Sequence, residues 1–179
     1  MSLGKTLAHA AGAFAATPFL DYAWHAWVAH GPREDPTRAA HREHHRTAHT
    51  EGDPWSEMRE NAALIGKVSL AVAAALTPLV GVRSALGISA GLASGYVAIT
   101  LSHARMHQRA PSGRWEEWMW RFHFHHHYAD TKVNFGLTSP IFDFAFGTAV
   151  VPDVVAIPEA ALPAWWLGEH PGFRVRPRA

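Results

Sequence analysis

Apolar positions along this chain collect into three long runs, and the polar sequence around them is rich in histidine. The runs cover residues 7–28, 62–82 and 84–101. Each approaches the roughly 20 residues that an α-helix needs to cross a bilayer. The pattern predicts an all-α membrane helical bundle with about three spanning helices. Segments 31–61 and 103–179 are predicted to form a helical cap, and residues 1–179 to form a single domain.

The first run is the least uniform of the three, because it contains His9, Pro18 and Asp21. A buried helix of a soluble protein is the alternative for this segment. A secretory signal is disfavoured, since the run lacks a clear small-residue cleavage site and ends in histidines. We therefore expect the segment to be retained and to span the membrane.

The third run carries no charged residue and has a glycine at every fourth position, at Gly87, Gly91 and Gly95. Such a stripe lets membrane helices approach closely. In a water-exposed helix it would cost about 1 kcal/mol per glycine. The stripe predicts close helix packing, either within one chain or between two, so the oligomeric state stays open.

Histidine is the strongest chemical signal, with 14 residues in a chain of 179. Ten of them fall into four boxes: His25 and His30; His41, His44 and His45; His103 and His107; His123, His126 and His127. Residues three or four apart project from the same face of a helix, so the last three boxes fit helices. The first pair is five apart, and we expect it where a helix ends and its last turn distorts.

Metal binding explains the set of histidines better than ordinary packing does. A single histidine is more often satisfied by hydrogen bonds, but clustered imidazoles repel each other once protonated. Neutral imidazole is a good metal ligand, and a bound ion keeps it deprotonated. Ten donors exceed the roughly four that one zinc ion takes, so we predict two ions. His125 lies on the far side of its helix from His123 and is left out.

Composition excludes several other classes of protein. The chain has no cysteine, which removes disulfides, thiolate ligands and iron–sulfur clusters held by this chain. A formal charge of +1 gives no electrostatic case for a nucleic-acid partner.

The distribution of positive charge predicts the orientation in a membrane. Five arginines lie between the first two runs, and eight lysines and arginines follow the third. Lys5 and Arg83 would lie on the opposite side. The positive-inside rule therefore predicts an integral membrane protein with its histidine boxes on the cytoplasmic face.

The order of the boxes resembles that of a known family. The segments "HAWVAH", "HREHH", "HARMH" and "HFHHH", followed by "VNFGLTSPIFDFAFGT", are similar to the fatty acid hydroxylase and sterol desaturase superfamily from about Asp21 to Thr148. The resemblance implies a membrane-bound non-haem di-iron oxygenase. Such an enzyme uses O2 and external electrons to hydroxylate, or desaturate, a lipid such as a fatty acyl chain or sterol.

The resemblance also implies which residues act and which partners they need. Its metal ligands would be the ten box histidines: His25, His30, His41, His44, His45, His103, His107, His123, His126 and His127. They would hold two iron ions, with zinc possible in the isolated protein. Asn134 and Asp143 match polar positions of the closing motif and are expected to support the ligands, although Asp143 alternatively forms a helix cap or turn contact. Electrons would come from a separate ferredoxin or cytochrome with its reductase.

Two alternatives remain open at this point. A carotenoid ring hydroxylase shares the size and the first two boxes. The three residues between His103 and His107, and the "FGT" ending, favour the fatty acid hydroxylase branch. A non-enzymatic membrane metal-binding protein is the second alternative, since imidazole also binds zinc and copper. Transport sites need polar groups at the membrane midplane, and the second and third runs have almost none.

Overall fold

The computed structural model describes residues 3–47, 54–168 and 170–177, and these residues are mostly helical. The elements in chain order are α1 (Leu3–Trp24), a π-helical turn (His25–Ala29), α2 (Pro36–Thr47), α3 (Pro54–Val80), α4 (Val82–Gln108), α5 (Arg114–Tyr128), α6 (Ile141–Phe146), β1 (Val155–Pro158), a 3-10 turn (Glu159–Ala161) and β2 (Phe173–Arg176).

The described residues fall into two compact units. The first unit contains residues 3–20 and 54–101. The second contains residues 21–47, 102–168 and 170–177. All four histidine boxes belong to the second unit.

The first unit contains long apolar helices. Within the described residues, two helical segments are long and apolar enough to cross a membrane, Ala62–Val80 and Val82–Gln108. They correspond to the second and third predicted runs. Gly81, with φ of 79°, ends α3 in a left-handed conformation that glycine adopts at little cost. Leu70 and Leu79 are largely exposed on α3, as expected for side chains that face lipid.

The first predicted run forms α1 and the π-helical turn that follows it, with Pro18 inside the helix. It is not one of the two apolar segments described above, so a third crossing stays a prediction. Exposed Leu3, Leu7 and Phe14 argue against α1 being the buried core helix of a soluble protein.

The glycine stripe packs within one chain, against α1. A Cβ atom added at Gly91 would overlap the carbonyl oxygen of Ala10, and one added at Gly95 would overlap the side chain of Thr17. Two helices can approach this closely only where the residue in between has no side chain. The stripe therefore has an intrachain role in the first unit.

The second unit has its own hydrophobic core. Seven buried residues form it: Met106, Met119, Trp120, Phe124, Val155, Ile157 and Phe173. Strands β1 and β2 pair in parallel, with Val155 opposite Phe173, and β1 places its alternate side chains against α5. Buried aromatic and aliphatic packing thus fixes α5, which carries the fourth histidine box.

The second unit contains two short strands that the sequence did not predict. The all-α prediction missed β1 and β2, because four-residue strands separated by a proline-rich segment give too short an alternation to read. Trp120 belongs to the buried core of the second unit. It is 4% exposed, and its Nε1 donates to the carbonyl oxygen of Arg109 at 2.9 Å.

Candidate metal centre

Four helical elements carry the ten box histidines. The first pair lies at the π-helical turn, where the amide of His30 donates to the carbonyl oxygen of His25 at 3.0 Å. This i to i+5 bond widens the turn and lets residues five apart face the same way. The second box lies on α2, the third at the end of α4 and the fourth on α5. The expected distortion at the first pair is therefore a π turn.

The structure gathers nine of these histidines into two groups. Within each group, one ring nitrogen from every residue lies within 4.8 Å of the others. Group A consists of His25, His30, His41, His45 and His126. Group B consists of His44, His103, His107 and His127.

The tenth histidine, His123, adjoins group B. Its Nε2 lies 3.0 Å from Nε2 of His107, and its ring centroid lies 4.5 Å from that of His127. It is fully buried. His125, left out by the helical-face argument, belongs to neither group and is half-buried.

The two groups lie side by side, because neighbouring residues are divided between them. His44 and His45 are adjacent on α2 but belong to groups B and A, and His126 and His127 on α5 divide in the same way. The rings of His45 and His127 stack with centroids 4.2 Å apart. Each triplet therefore supplies both groups, which the helix period alone did not indicate.

The contacts inside group A cannot all be hydrogen bonds. Nε2 of His41 lies 3.0 Å from that of His25, 2.9 Å from that of His30 and 3.0 Å from that of His45. In neutral imidazole this nitrogen has either one proton or one lone pair, so it can complete only one of these contacts. A cation shared by the four nitrogens would satisfy all of them.

The spacing also fits an ion. Nitrogen ligands about 2.1 Å from one ion lie about 3 Å apart when they subtend a right angle at it. The Nε2 contacts in group A have this length, as do the 3.0 Å contact between His123 and His107 and the 3.3 Å contact between His107 and His103. The donor set is entirely imidazole, which suits iron, zinc or copper.

Two backbone carbonyls set the tautomers of two group A histidines, His25 and His126. Nδ1 of His25 lies 2.6 Å from the carbonyl oxygen of Phe135, and Nδ1 of His126 lies 2.7 Å from that of Val133. Because a carbonyl oxygen only accepts, each Nδ1 must carry the proton. The Nε2 atoms of both neutral rings then present lone pairs toward the group. This is the usual outer arrangement of a metal-bound histidine.

Asn134 holds the segment between those two carbonyls. Its Nδ2 donates to the carbonyl oxygens of Phe122 at 2.9 Å and Val150 at 2.8 Å, and its Oδ1 accepts from the amide of Val150 at 2.7 Å. Its φ of 59° places it in the left-handed region that asparagine tolerates. Asn134 thereby turns the chain so that Val133 and Phe135 each reach a histidine.

Asp143 holds the next part of the same turn. Its Oδ1 accepts from the amide of Phe135 at 2.7 Å and from the hydroxyl of Thr148 at 2.8 Å. Its Oδ2 accepts from the amide of Gly136 at 2.8 Å. Asp143 is in neither group A nor group B. Asp143 therefore makes turn contacts, which were the alternative prediction for it. These contacts hold the turn in which the carbonyl of Phe135 orients His25.

Burial keeps the rings neutral. It lowers the pKa of His45 to about 3 and that of His30 to about 4, with smaller contributions from neighbouring histidines at His45 and from Arg38 at His30. Burial, with nearby histidines, also places the pKa values of His123 and His127 well below the usual range. Neutral rings have lone pairs available for a cation.

Sequence reasoning missed the carbonyls of Val133 and Phe135. Main-chain oxygens leave no residue-type signal, so a motif search cannot find them. The asparagine between them is the one available clue, because asparagine is among the few residues that adopt a positive φ.

The structure thus defines a largely helical protein with two adjoining polyhistidine groups suited to metal ions. Residues 10–148 match the model of the fatty acid hydroxylase family, and the chain therefore belongs to that family. The family and the two long apolar helices together indicate a membrane protein. A comparison with curated proteins gave no match.

A solved structure shares the fold. It is described as full-length scs7p with only the hydroxylase domain visible, and it is similar to this chain with a TM-score of 0.59 at 20% sequence identity. The similarity covers 86% of this chain and 60% of the other, so this chain corresponds to only part of that protein.

Proposed function

We propose that this protein is a membrane-bound, O2-dependent lipid hydroxylase with two iron ions, one in group A and one in group B. The observation that carries the proposal is the pair of adjoining imidazole groups with converging nitrogen atoms, in a chain of the fatty acid hydroxylase family. Two irons would supply the reduction of dioxygen that oxidation of an unactivated C–H bond needs.

The ligand assignment follows the two groups. Group A would hold one ion through its five histidines, and group B would hold the other through its four, with His123 as a further donor. Because each triplet is split between the groups, two bound ions would be held by neighbouring residues and would supply the activation of dioxygen jointly. The carbonyls of Val133 and Phe135 keep protons on Nδ1, and burial excludes water that would compete for the ligands.

The membrane assignment rests on exposed apolar surface. Leu64, Leu70 and Leu79 of α3 are each more than half exposed, which is unfavourable in water and favourable in lipid. We propose that Ala62–Val80 and the part of Val82–Gln108 that precedes His103 cross the bilayer, that α1 is a third crossing, and that the histidine groups face the cytoplasm by the positive-inside rule.

The substrate and the reductant follow from the same proposal. A site with apolar helices in the same chain suits an amphipathic lipid, and the family favours a fatty acyl chain over a sterol or carotenoid. The absence of cysteine leaves this chain without an iron–sulfur cluster of its own. A separate ferredoxin or cytochrome with its reductase would supply electrons.

Lipid mass spectrometry tests the proposal. The chain would be expressed in a host of defined lipid composition with a reductase and isotopically labelled dioxygen, beside a His103→Ala control. The expected product carries one labelled oxygen atom and is missing in the control. A lipid that only loses two hydrogens would identify desaturation. Metal retention with no oxidised lipid would overturn the proposal in favour of a metal-binding protein.

A further inference from the structure

Asp21 is a buried carboxylate with no assigned role. It lies on α1, four residues before His25, and is 6% exposed. Its Oδ2 accepts from the backbone amide of Leu137 at 2.9 Å. The two residues are 116 positions apart, so this one bond joins α1 to the turn that follows α5. A buried carboxylate is costly unless it is hydrogen-bonded, which makes the contact specific.

Asp21 and Asp143 together hold the turn formed by residues 135–137. Asp143 binds the amides of Phe135 and Gly136, and Asp21 binds that of Leu137. Three successive amides are therefore held by two carboxylates from different helices. Because the three donors are successive backbone amides, their hydrogen bonds fix the path of the main chain through this turn.

The turn held by the two carboxylates directs the carbonyl of Phe135 toward His25 of group A. With the amides of 135, 136 and 137 occupied, the carbonyl oxygen of Phe135 lies 2.6 Å from Nδ1 of His25. Asp21 and His25 are one helical turn apart on the same face. Contacts therefore connect Asp21 to Leu137 and, through the same turn, Phe135 to His25. His25 is in turn linked to Asp21 along α1.

His25 needs such a partner because it starts the π-helical turn. The backbone hydrogen bonds change from i+4 to i+5 spacing at His25, so regular α-helical geometry does not fix the direction of its ring. A histidine that loses its Nδ1 acceptor can move the proton to Nε2, which removes the lone pair from the metal side.

We propose that Asp21 is a positioning residue for group A, which holds the 135–137 turn so that Phe135 keeps the proton of His25 on Nδ1. This inference rests on the proposed binding of an ion by group A. It predicts an effect on one ion and not on the other.

Two variants separate positioning from packing. Asp21→Leu keeps the number and branching of side-chain heavy atoms, in a larger volume, and removes the acceptor. Asp21→Asn keeps an acceptor oxygen for the amide of Leu137. Each purified chain would be loaded with ferrous iron, and bound iron per chain and affinity would be measured by titration. Circular dichroism and thermal melting of the iron-free chains would report folding.

The expected result is selective. Asp21→Leu should lose about 10- to 100-fold in affinity for one of two ions, the range typical for removing an outer-shell partner of a metal ligand. Asp21→Asn should bind both ions nearly as the wild type does. Adding His103→Ala, which damages group B, should leave Asp21→Leu with almost no iron. Adding His30→Ala, which damages group A, should leave about one ion.

Contrary results overturn the inference in distinguishable ways. Two ions bound by Asp21→Leu with wild-type affinity would refute the positioning role and leave the proposed function standing. Equal weakening of both ions, or a loss that Asp21→Asn shares, would show a general structural role instead. A wild-type chain that binds fewer than two ions would overturn both the inference and the proposed function.

Discussion

In group A, the Nδ1 atoms of His25 and His126 donate to backbone carbonyls, whereas within the described residues those of His107 and His127 in group B are buried without such partners, as is that of His45 in group A. His25 and His126 are fixed by Phe135 and Val133. Among the described residues, the Nδ1 atoms of His107 and His127 have no hydrogen-bond partner. Buried polar atoms usually have one. The backbone therefore fixes two rings of group A, whereas no backbone carbonyl fixes the Nδ1 atoms of these two group B rings within the described residues.

The difference indicates how the two groups depend on metal. Group A should keep its tautomers when the ions are removed, because the carbonyls remain. Group B should become ordered mainly through the ion, because within the described residues no carbonyl fixes the Nδ1 atoms of His107 and His127. The predictions below test this contrast, from the largest expected effect to the smallest.

Removing a ligand from group A should have the largest effect. His126→Ala deletes a buried ring between Val133 and the group, so we expect turnover to be abolished and bound iron to fall from about two ions to about one per chain. Elemental analysis and a lipid hydroxylation assay would measure this. His125→Ala is the matched control on the same helix and should change little. Equal losses in both variants would refute the division into groups.

Loosening the turn should weaken group A without removing a ligand. Asn134→Ala loses three buried hydrogen bonds and places alanine at φ of 59°, so we expect a destabilisation of about 1–3 kcal/mol and weaker iron binding at group A. Thermal melting and iron titration would measure both. Asn134→Gly accepts the positive φ but lacks the amide, so it separates backbone strain from lost hydrogen bonds. Unchanged iron binding in both variants would contradict the account.

A more distant support should have a smaller effect. Thr148→Val removes one hydroxyl bond to Asp143 and keeps the side-chain shape, so we expect a loss of about 1 kcal/mol in the free energy of unfolding. Binding at group B should not change. A titration showing that group B weakens more than group A would reverse the contrast.

The smallest effect should appear in the spectra of the iron-free chain. Nitrogen NMR of labelled histidines should show His25 and His126 as single tautomers protonated at Nδ1. His123 and His127 should show mixed tautomers, because no hydrogen bond within the described residues selects one at their Nδ1 atoms. Single, fixed tautomers in both groups would remove the proposed difference.

Sequence periodicity predicted which histidines share a helix face, because a helix repeats every 3.6 residues and projects box residues to one side. It could not predict that His44 and His45 serve different groups. That division depends on how α2 lies against α4 and α5, which is a matter of tertiary packing. The geometry at His25 and His30 was predicted only in part, because a five-residue spacing indicates a distorted turn but does not identify it as a π-helix.

The features that the sequence failed to predict are those without a residue-type signal. Every residue has a backbone carbonyl, so the sequence does not distinguish those of Val133 and Phe135. Asp21 interrupted an apolar run, and its hydrogen bond to the amide of Leu137 could not be predicted. The C-terminal strands were too short to give a periodic pattern. The long apolar helices were predictable because their composition alone distinguishes them.

Iron-edge anomalous diffraction from the loaded protein tests the central claim most directly. The account predicts two iron peaks, one bonded to Nε2 atoms of group A and one to ring nitrogens of group B, with Nδ1 of His25 still donating to Phe135. A single peak, or iron bound away from these histidines, would contradict it.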